Sequence, residues 1–244
     1  PLGFKDYNSQ QNAIDPSDRD STVSFNKWPV KGMYQPDAVA VLTDNGVPYL
    51  FTANEGDVRE YDTFNEAKRA GTLKLDTSAF TNVSALLLPQ QIGRLNVTTT
   101  LGDVDNDNDF DALYSFGARS FSVWNGVSGK LVYDSKNELE QRTVQASMYD
   151  DGRGDDKGVE PEGLTLGAVG KTKLAFIGLE RADALAIYDV TNPVRPAFLQ
   201  ILKTGDAPEG VLFVTAKESP NKQSLLIVSS ENDGVIKIYT PKQR

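Results

Sequence analysis

Apolar residues in this chain come in short runs rich in Val, Ile, Leu, Phe and Tyr, and a turn-forming residue closes nearly every run. The segments "DAVAVLT", "PYLFTA", "ALYSFG", "SFSVWN", "KLAFIGL", "ALAIYDV", "GVLFVTA", "SLLIVSS" and "VIKIYT" are bounded by Gly, Asp, Asn or Pro. Runs of this length and composition predict strands joined by tight turns. Helical spacing is confined to two weak, polar stretches, "TFNEAKRAG" at 63–71 and "NELEQRTVQASMY" at 137–149. The chain therefore reads as all-β.

Three segments repeat one another, beginning at Pro36, Pro161 and Pro208. Each runs Pro, acid, small residue, aliphatic, then a strand, a turn, a second strand ending at a Glu, and a third strand carrying a Tyr. Pro36 to Glu55 and Pro161 to Glu180 both span 19 residues, whereas Pro208 to Glu231 spans 23, the excess falling in the polar turn "ESPNKQ". The starts at Pro161 and Pro208 lie 47 residues apart, close to the roughly 40–50 residues of one four-stranded propeller blade. A degenerate copy is expected at about 95–134, where "ALYSFGARSFSVW" replaces the Glu-bearing pair of strands. The expected architecture is a β-propeller with about four blades here, at about 31–80, 95–134, 158–200 and 205–241, after a connecting segment at 1–30. Four is few for a closed ring, so the chain is expected to be the C-terminal part of a larger, roughly seven-bladed one. The remaining blades would come from an N-terminal part or from another chain.

Charge and composition narrow the function. With 25 Lys and Arg against 34 Asp and Glu, the net charge is −9, which argues against nucleic acid or an anionic membrane as partner and for either simple solubility or cation binding. The chain has no Cys and no His, so disulfides, thiolate metal sites and Ser-His-Asp or Cys-His catalysis are excluded. Carboxylates, Lys, Arg, Tyr and oxygen-bound metal remain. No run approaches the roughly 18 apolar residues of a membrane span.

The densest acidic segment is "LGDVDNDNDFD" at 101–111. Asp103, Asp105, Asp107 and Asp111 follow a D-x-D-x-D-x-x-x-D spacing, with Asp109 between them. Alternate side chains of a tight loop converge on one centre, and an all-oxygen shell of this kind suits Ca²⁺; the alternative is a solvated acidic turn. Asn108 stands where such a loop needs a left-handed residue. An EF-hand does not fit, because its twelfth position is Tyr114 and a strand follows. In a propeller the repeated acids would form two tiers, Asp37, Glu162 and Glu209 in one, and Glu55, Glu180 and Glu231 in the other. Each tier either holds a cation or caps blade turns through backbone N–H groups. The basic residues Arg59, Arg119, Arg181 and Lys157 either pair with neighbouring acids or clamp the oxygens of a phosphate, carbonate or carboxylate. Asn82 and Asn96 open glycosylation sequons.

The segments "GMYQPDAVA", "TANEGDVREYD", "TTTLGDVDNDNDFDALYSFGARSFSVW", "DDKGVEPEGLTLG" and "AFIGLERADALAIYDVTNP" together resemble the choice-of-anchor I domain family, over essentially residues 1–241. The family is β-propeller-like and secreted, and includes bacterial surface proteins, some labelled alkaline phosphatases. It also includes mesenchyme-specific cell-surface glycoproteins associated with calcium carbonate biomineralisation. The resemblance implies an extracellular or cell-surface, calcium-dependent setting with Ca²⁺ as cofactor. It implies a scaffold, matrix or biomineral-associated role whose partner is mineral, polysaccharide or a matrix protein. The alternative is a calcium-dependent phosphoesterase acting through carboxylate-held metal and Arg. The chain departs from the family pattern in two ways. Its start corresponds to the middle of such a domain, and the stretch around "SMYDDGRGDDKG" is shorter than the usual insert, so residues are expected to be missing near 148–156.

Overall fold

The computed structural model of the chain describes residues 2–241. In chain order the strands are β1 (Phe4–Asp6), β2 (Val30–Met33), β3 (Ala38–Asp44), β4 (Val47–Asn54), β5 (Glu60–Tyr61), β6 (Phe64–Asn65), β7 (Ala67–Arg69), β8 (Asn96–Thr98) and β9 (Leu113–Ser115). They continue as β10 (Ser120–Asn125), β11 (Leu131–Asp134), β12 (Pro161–Val169), β13 (Thr172–Leu179), β14 (Ala184–Asp189), β15 (Ala197–Lys203), β16 (Pro208–Val214), β17 (Leu225–Ser230) and β18 (Ile236–Tyr239). The α-helices are α1 (Val83–Leu86) and α2 (Glu138–Gln145). Each apolar run picked out above coincides with a strand, and the fold is all-β, built of several small sheets.

Two compact units share the chain. The first gathers the residues up to Gln35 with Glu55–Arg119 and Asp150–Gly158, and the second gathers Pro36–Asn54, Ser120–Tyr149 and the chain from Val159 on.

The second unit stacks three antiparallel sheets, ordered β11-β10-β4-β3, β12-β13-β14-β15 and β16-β17-β18. Alternation along each strand decides which side chains go between them. Phe51, Ala53, Phe121 and Val123 of the first sheet meet Ala175, Ile177, Ala186 and Tyr188 of the second in one buried cluster. The opposite face of that second sheet, through Phe176, Leu185 and Ile187, meets Leu226 and Val228 of the third. The Phe176 and Phe213 rings stack at 5.6 Å. Helix α2 covers the first cluster with Leu139. Its ends obey helix electrostatics, with Glu138 and Glu140 in the first turn and an i,i+4 ion pair of 2.9 Å from Arg142 to Glu138.

The repeat has a geometric reason. Pro161 pairs with Leu179 and Pro208 with Ser230, each followed by the same register shift. A Cβ on Gly163, the small residue of the motif, would run into the backbone carbonyl of Glu209 in the next sheet. Gly163 is therefore what lets two first strands approach. Gly163→Ala is expected to destabilise the second unit by about 1–3 kcal/mol, the usual cost of overpacking against backbone, read as a lowered midpoint in urea with an unchanged slope.

The first unit holds a five-stranded sheet ordered β1-β2-β9-β8-β7, in which β2 and β9 are parallel. Its core comprises Tyr7, Ile14, Trp28, Val30, Phe80, Ile92, Leu95, Val97 and Leu113 among others.

Four expectations change. Residues 63–71 are not helical: β6 and β7 occupy them, followed by a single 3-10 turn. The Asn65 side chain accepts the Ala67 N–H at 2.9 Å and β7 pairs with β8, so tertiary pairing outweighs a weak local preference. The third strand of the first repeat does not form as expected. Tyr61 lies in β5, which pairs with β6, and β10 takes the place beside β4. Residues 95–134 therefore divide, β8 and β9 going to the five-stranded sheet and β10 and β11 to the first stacked sheet. Finally, 1–30 is more than a connection, since Tyr7, Ile14 and Trp28 are buried in the core of the first unit.

Candidate cation-binding loops

The aspartate loop joins β8 to β9 in the first unit. It turns tightly because Gly102, Asn106 and Asn108 all take left-handed backbone, Asn108 at φ 70. Asp103 accepts the N–H groups of Asp107 and Asn108, both at 3.2 Å. Asp111 accepts that of Val104 at 2.7 Å. These bonds orient carboxylates inward, and oxygens of Asp103, Asp105 and Asp111 lie within 4.8 Å of one another. The charge of Asp107 pushes the Asp105 carboxyl up, followed by burial and the charges of Asp111 and Asp103. Asp109 departs from this group: it is buried and pairs with Lys74 at 2.9 Å. Asp107 serves the turn itself, accepting the Asp109 N–H at 3.0 Å. The oxygen-only donor set suits a hard cation such as Ca²⁺.

A second acidic group was not anticipated from the sequence. Asp15, Asp20 and Asp151 bring carboxylate oxygens within 4.8 Å of one another in the first unit. Asp15, only 1% exposed, accepts the N–H of Ser24 at 2.6 Å and of Ser17 at 3.3 Å. Burial pushes its carboxyl up to about 6 against those two bonds. Asp151 is likewise raised, by burial and then by Asp20. Asp15 and Asp20 line a cavity of about 560 Å³ with Ser24, Trp28 and Gln90. The acid-dense stretches "DPSDRD" and "DDGRGDD" were the available signal, but nothing local shows that residues 15–20 and 151 meet.

The two tiers of repeated acids do not form as such. Within the second unit, Asp37 and Glu162 have carboxylate oxygens within 4.8 Å, as do Glu180 and Glu160, the latter absent from the repeat reading. Arg181 accompanies that last pair, at 3.0 Å from Glu180 and 3.4 Å from Glu160. Glu209 and Glu231 are exposed and join no such group among the described residues. Glu55, in the first unit, pairs with Lys157, which also donates to the Gly56 carbonyl at 2.9 Å.

The remaining basic residues are structural in their contacts. Arg119, 1% exposed, donates to the carbonyls of Asp15, Gly154 and Asp156 at 3.1, 2.6 and 3.0 Å. Arg59 donates to Glu66 at 2.7 Å. Glu66 is 5% exposed and also accepts the hydroxyls of Thr98 and Thr100 at 2.6 and 3.1 Å. These bonds, that from Arg59 first, hold the Glu66 carboxyl down at about 2 against burial. A depressed carboxylate contributes stability above its unfolded value, 4.5, and that contribution is lost as pH falls toward about 2. Glu66→Gln should accordingly flatten the fall in stability of the first unit between pH 4.5 and 2, measured by urea unfolding at stepped pH. An unaltered slope would remove Glu66 as its source. Of the sequon residues, Asn82 is exposed, whereas the Asn96 amide donates to Asp156 at 3.2 Å.

Comparison with known proteins supplies two matches. The family described as "Choice-of-anchor I domain" matches residues 1–193. Gigasin-3a of Magallana gigas is 26% identical over 182 residues, covering 61% of this chain and 64% of that protein. The chain thus spans less than two thirds of the length of the curated relative it matches.

Proposed function

This chain belongs to the choice-of-anchor I domain family, and from that premise we propose that it is a secreted or surface-displayed, calcium-binding protein of β-propeller type with a scaffold, matrix or biomineral-associated role. Domains of this family are typically extracellular or surface-associated. No helix among the described residues is long and apolar enough to cross a membrane.

One observation carries the reading: Asp103, Asp105 and Asp111 converge within 4.8 Å, and like charge raises Asp105 there. A divalent cation relieves that repulsion and supplies the cross-loop bond that the carboxylates cannot make with each other. The stacked sheets with equivalent Pro-acid-Gly starts at Pro161 and Pro208 support the propeller-type arrangement. The enclosure of Arg119 and Lys157 favours binding over phosphoester hydrolysis, because a clamp for a transferred group needs a cation turned toward a substrate. Arg119 in particular is enclosed by three carbonyls. The test is thermal unfolding and calorimetry with Ca²⁺ against chelator. A chain whose melting and heat signal ignore millimolar Ca²⁺ would sink the proposal.

A further inference from the structure

Residues 15 and 16 form the chain's one Asp-Pro bond, a peptide linkage open to attack from its own side chain. A carboxyl oxygen of Asp can close a five-membered ring onto its own backbone carbonyl carbon, and the tertiary nitrogen of proline leaves as a secondary amine once protonated. In an unfolded chain the reaction is slow, because the side chain rotates freely and nothing stabilises the negative charge that develops on the carbonyl oxygen.

The fold of the first unit supplies both. Asp15 is buried and its carboxyl is fixed at each oxygen, Oδ2 by the Ser24 N–H at 2.6 Å and Oδ1 by the Ser17 N–H at 3.3 Å. An oxygen that reaches the N–H two residues on lies over the Pro16 linkage between, and the longer bond leaves Oδ1 the freer of the two. The carbonyl oxygen of Asp15 accepts Nη1 of Arg119 at 3.1 Å. Arg119 is buried as well, so a full positive charge meets that oxygen out of water, where it stabilises developing negative charge most strongly. Of the three carbonyls that Arg119 holds, those of Asp15, Gly154 and Asp156, only that of Asp15 is followed by proline. Water reaches the bond through the cavity of about 560 Å³ that Asp15, Pro16, Ser17, Asp20 and Gln91 line with other residues. The Asp20 carboxylate, within 4.8 Å of that of Asp15, is placed to take a proton from such a water.

We propose that the chain cuts itself between Asp15 and Pro16. Oδ1 of Asp15 bonds to the Asp15 carbonyl carbon, and Arg119 holds the resulting oxyanion. The bond to the Pro16 nitrogen then breaks as that nitrogen takes up a proton, from the carboxyl itself or from cavity water. Residue 15 is left as a cyclic anhydride, which one water molecule opens to two carboxyl groups, so chains 1–15 and 16–244 form with no other reactant. The shorter piece stays in place: β1 pairs with β2, Tyr7 and Ile14 belong to the core, and Trp28 Nε1 donates to the Ile14 carbonyl at 3.1 Å. The product is a two-chain form of the same fold with a new N-terminal proline at the cavity. The proposal goes beyond calcium binding at the 103–111 loop and does not depend on it.

The experiment incubates the purified full chain in mildly acidic buffer with chelator and protease inhibitors, and reads intact masses after denaturation. The expected result is fragments 1–15 and 16–244, together heavier than the parent by one water, formed at a first-order rate independent of protein concentration. That rate should exceed by at least about tenfold the rate in the same chain unfolded in urea at the same pH, since unfolding frees the carboxyl and removes Arg119. In heavy-oxygen water the label should enter both carboxyl groups of Asp15, because the anhydride opens at either carbonyl, whereas a contaminating protease labels the α-carboxyl alone. Asp15→Asn and Pro16→Ala should each slow cutting by at least about tenfold, the first by withdrawing the nucleophile and the second the leaving group. A native chain cut no faster than the unfolded one, label confined to the α-carboxyl, or cutting at the same place that persists in folded Pro16→Ala each overturns the proposal. Should either variant fail to fold, the comparison with urea and the label, both read on the parent chain, still decide it.

Discussion

Arg119→Met is expected to unfold or nearly unfold the first unit, costing about 3–5 kcal/mol. The side chain keeps much of its volume, so the loss isolates the guanidinium. That group ties together backbone from three separate stretches: Asp15, residue 119 itself, and Gly154 with Asp156. Hydrogen bonds to a charged donor are worth roughly 1.5–3 kcal/mol each, and removing the donor leaves buried carbonyls unmet. Against a total stability of about 5–15 kcal/mol for a typical domain, one substitution decides the outcome. Arg119→Lys should fail to rescue, because one ammonium cannot reach three carbonyls that a planar fork spans. Residue 119 also holds a left-handed φ of 53, a conformation that costs a non-glycine residue about 1 kcal/mol and persists only where contacts enforce it. Urea unfolding, with amide exchange at Asn96 and Asp156, checks this. A loss below about 1 kcal/mol would mean that the three stretches are held by other contacts.

The strands were legible because short runs rich in β-branched and aromatic residues, with Gly, Asp and Pro at their boundaries, are local properties. Val39 and Val41 alternate with Ala38, Ala40 and Leu42 along β3, and the burial follows that order. The repeat was legible wherever one sheet is one continuous segment, as from Pro161 to Lys203. It misled at Tyr61, because the partner of β4 comes from residues 120–125 after a long excursion. No local pattern reports that a chain leaves a sheet and returns.

The same limit governs the sites. The Asp103–Asp111 turn was foreseeable because its bonds span four to seven residues, and Asn108 was expected to be left-handed and is. Asp109 was not separable from its neighbours, since Lys74, which draws it aside, lies far back in the chain. Asp15 with the Asp151 carboxylate, and Arg119 with its carbonyls, depend on groups brought from more than thirty residues away. A backbone carbonyl is present at every residue, so a sequence carries no mark of which one an arginine will find. That is why Arg119, the most strongly anchored of the four basic candidates, was read as a possible oxygen clamp.

Adding Ca²⁺ to 10 mM should raise the melting temperature by about 3–10 °C relative to chelator. The magnitude follows from linkage: extracellular calcium modules bind at roughly 10⁻⁴–10⁻³ M, so 10 mM is about 10–100 times the dissociation constant and stabilises by about 1.4–2.7 kcal/mol. For a chain of this length each kcal/mol moves the midpoint by about 2–4 °C. Asp105→Asn and Asp111→Asn should each remove most of the response, because each withdraws a charge from the group of three. Asp109→Asn should lower stability slightly while leaving the calcium response intact, since its partner is Lys74. Asp20→Asn separates the two acidic groups. If calorimetry then still returns the stoichiometry of the parent, the Asp15, Asp20 and Asp151 group takes no ion, and a proton balances Asp15 only below about pH 6, to which burial pushes its carboxyl up. Buried and protonated, Asp15 would stabilise the fold below its unfolded value of 3.8, and the benefit would be lost as pH rises through 6. Glu66 imposes the opposite trend at lower pH, so stability against pH in chelator should show both limbs.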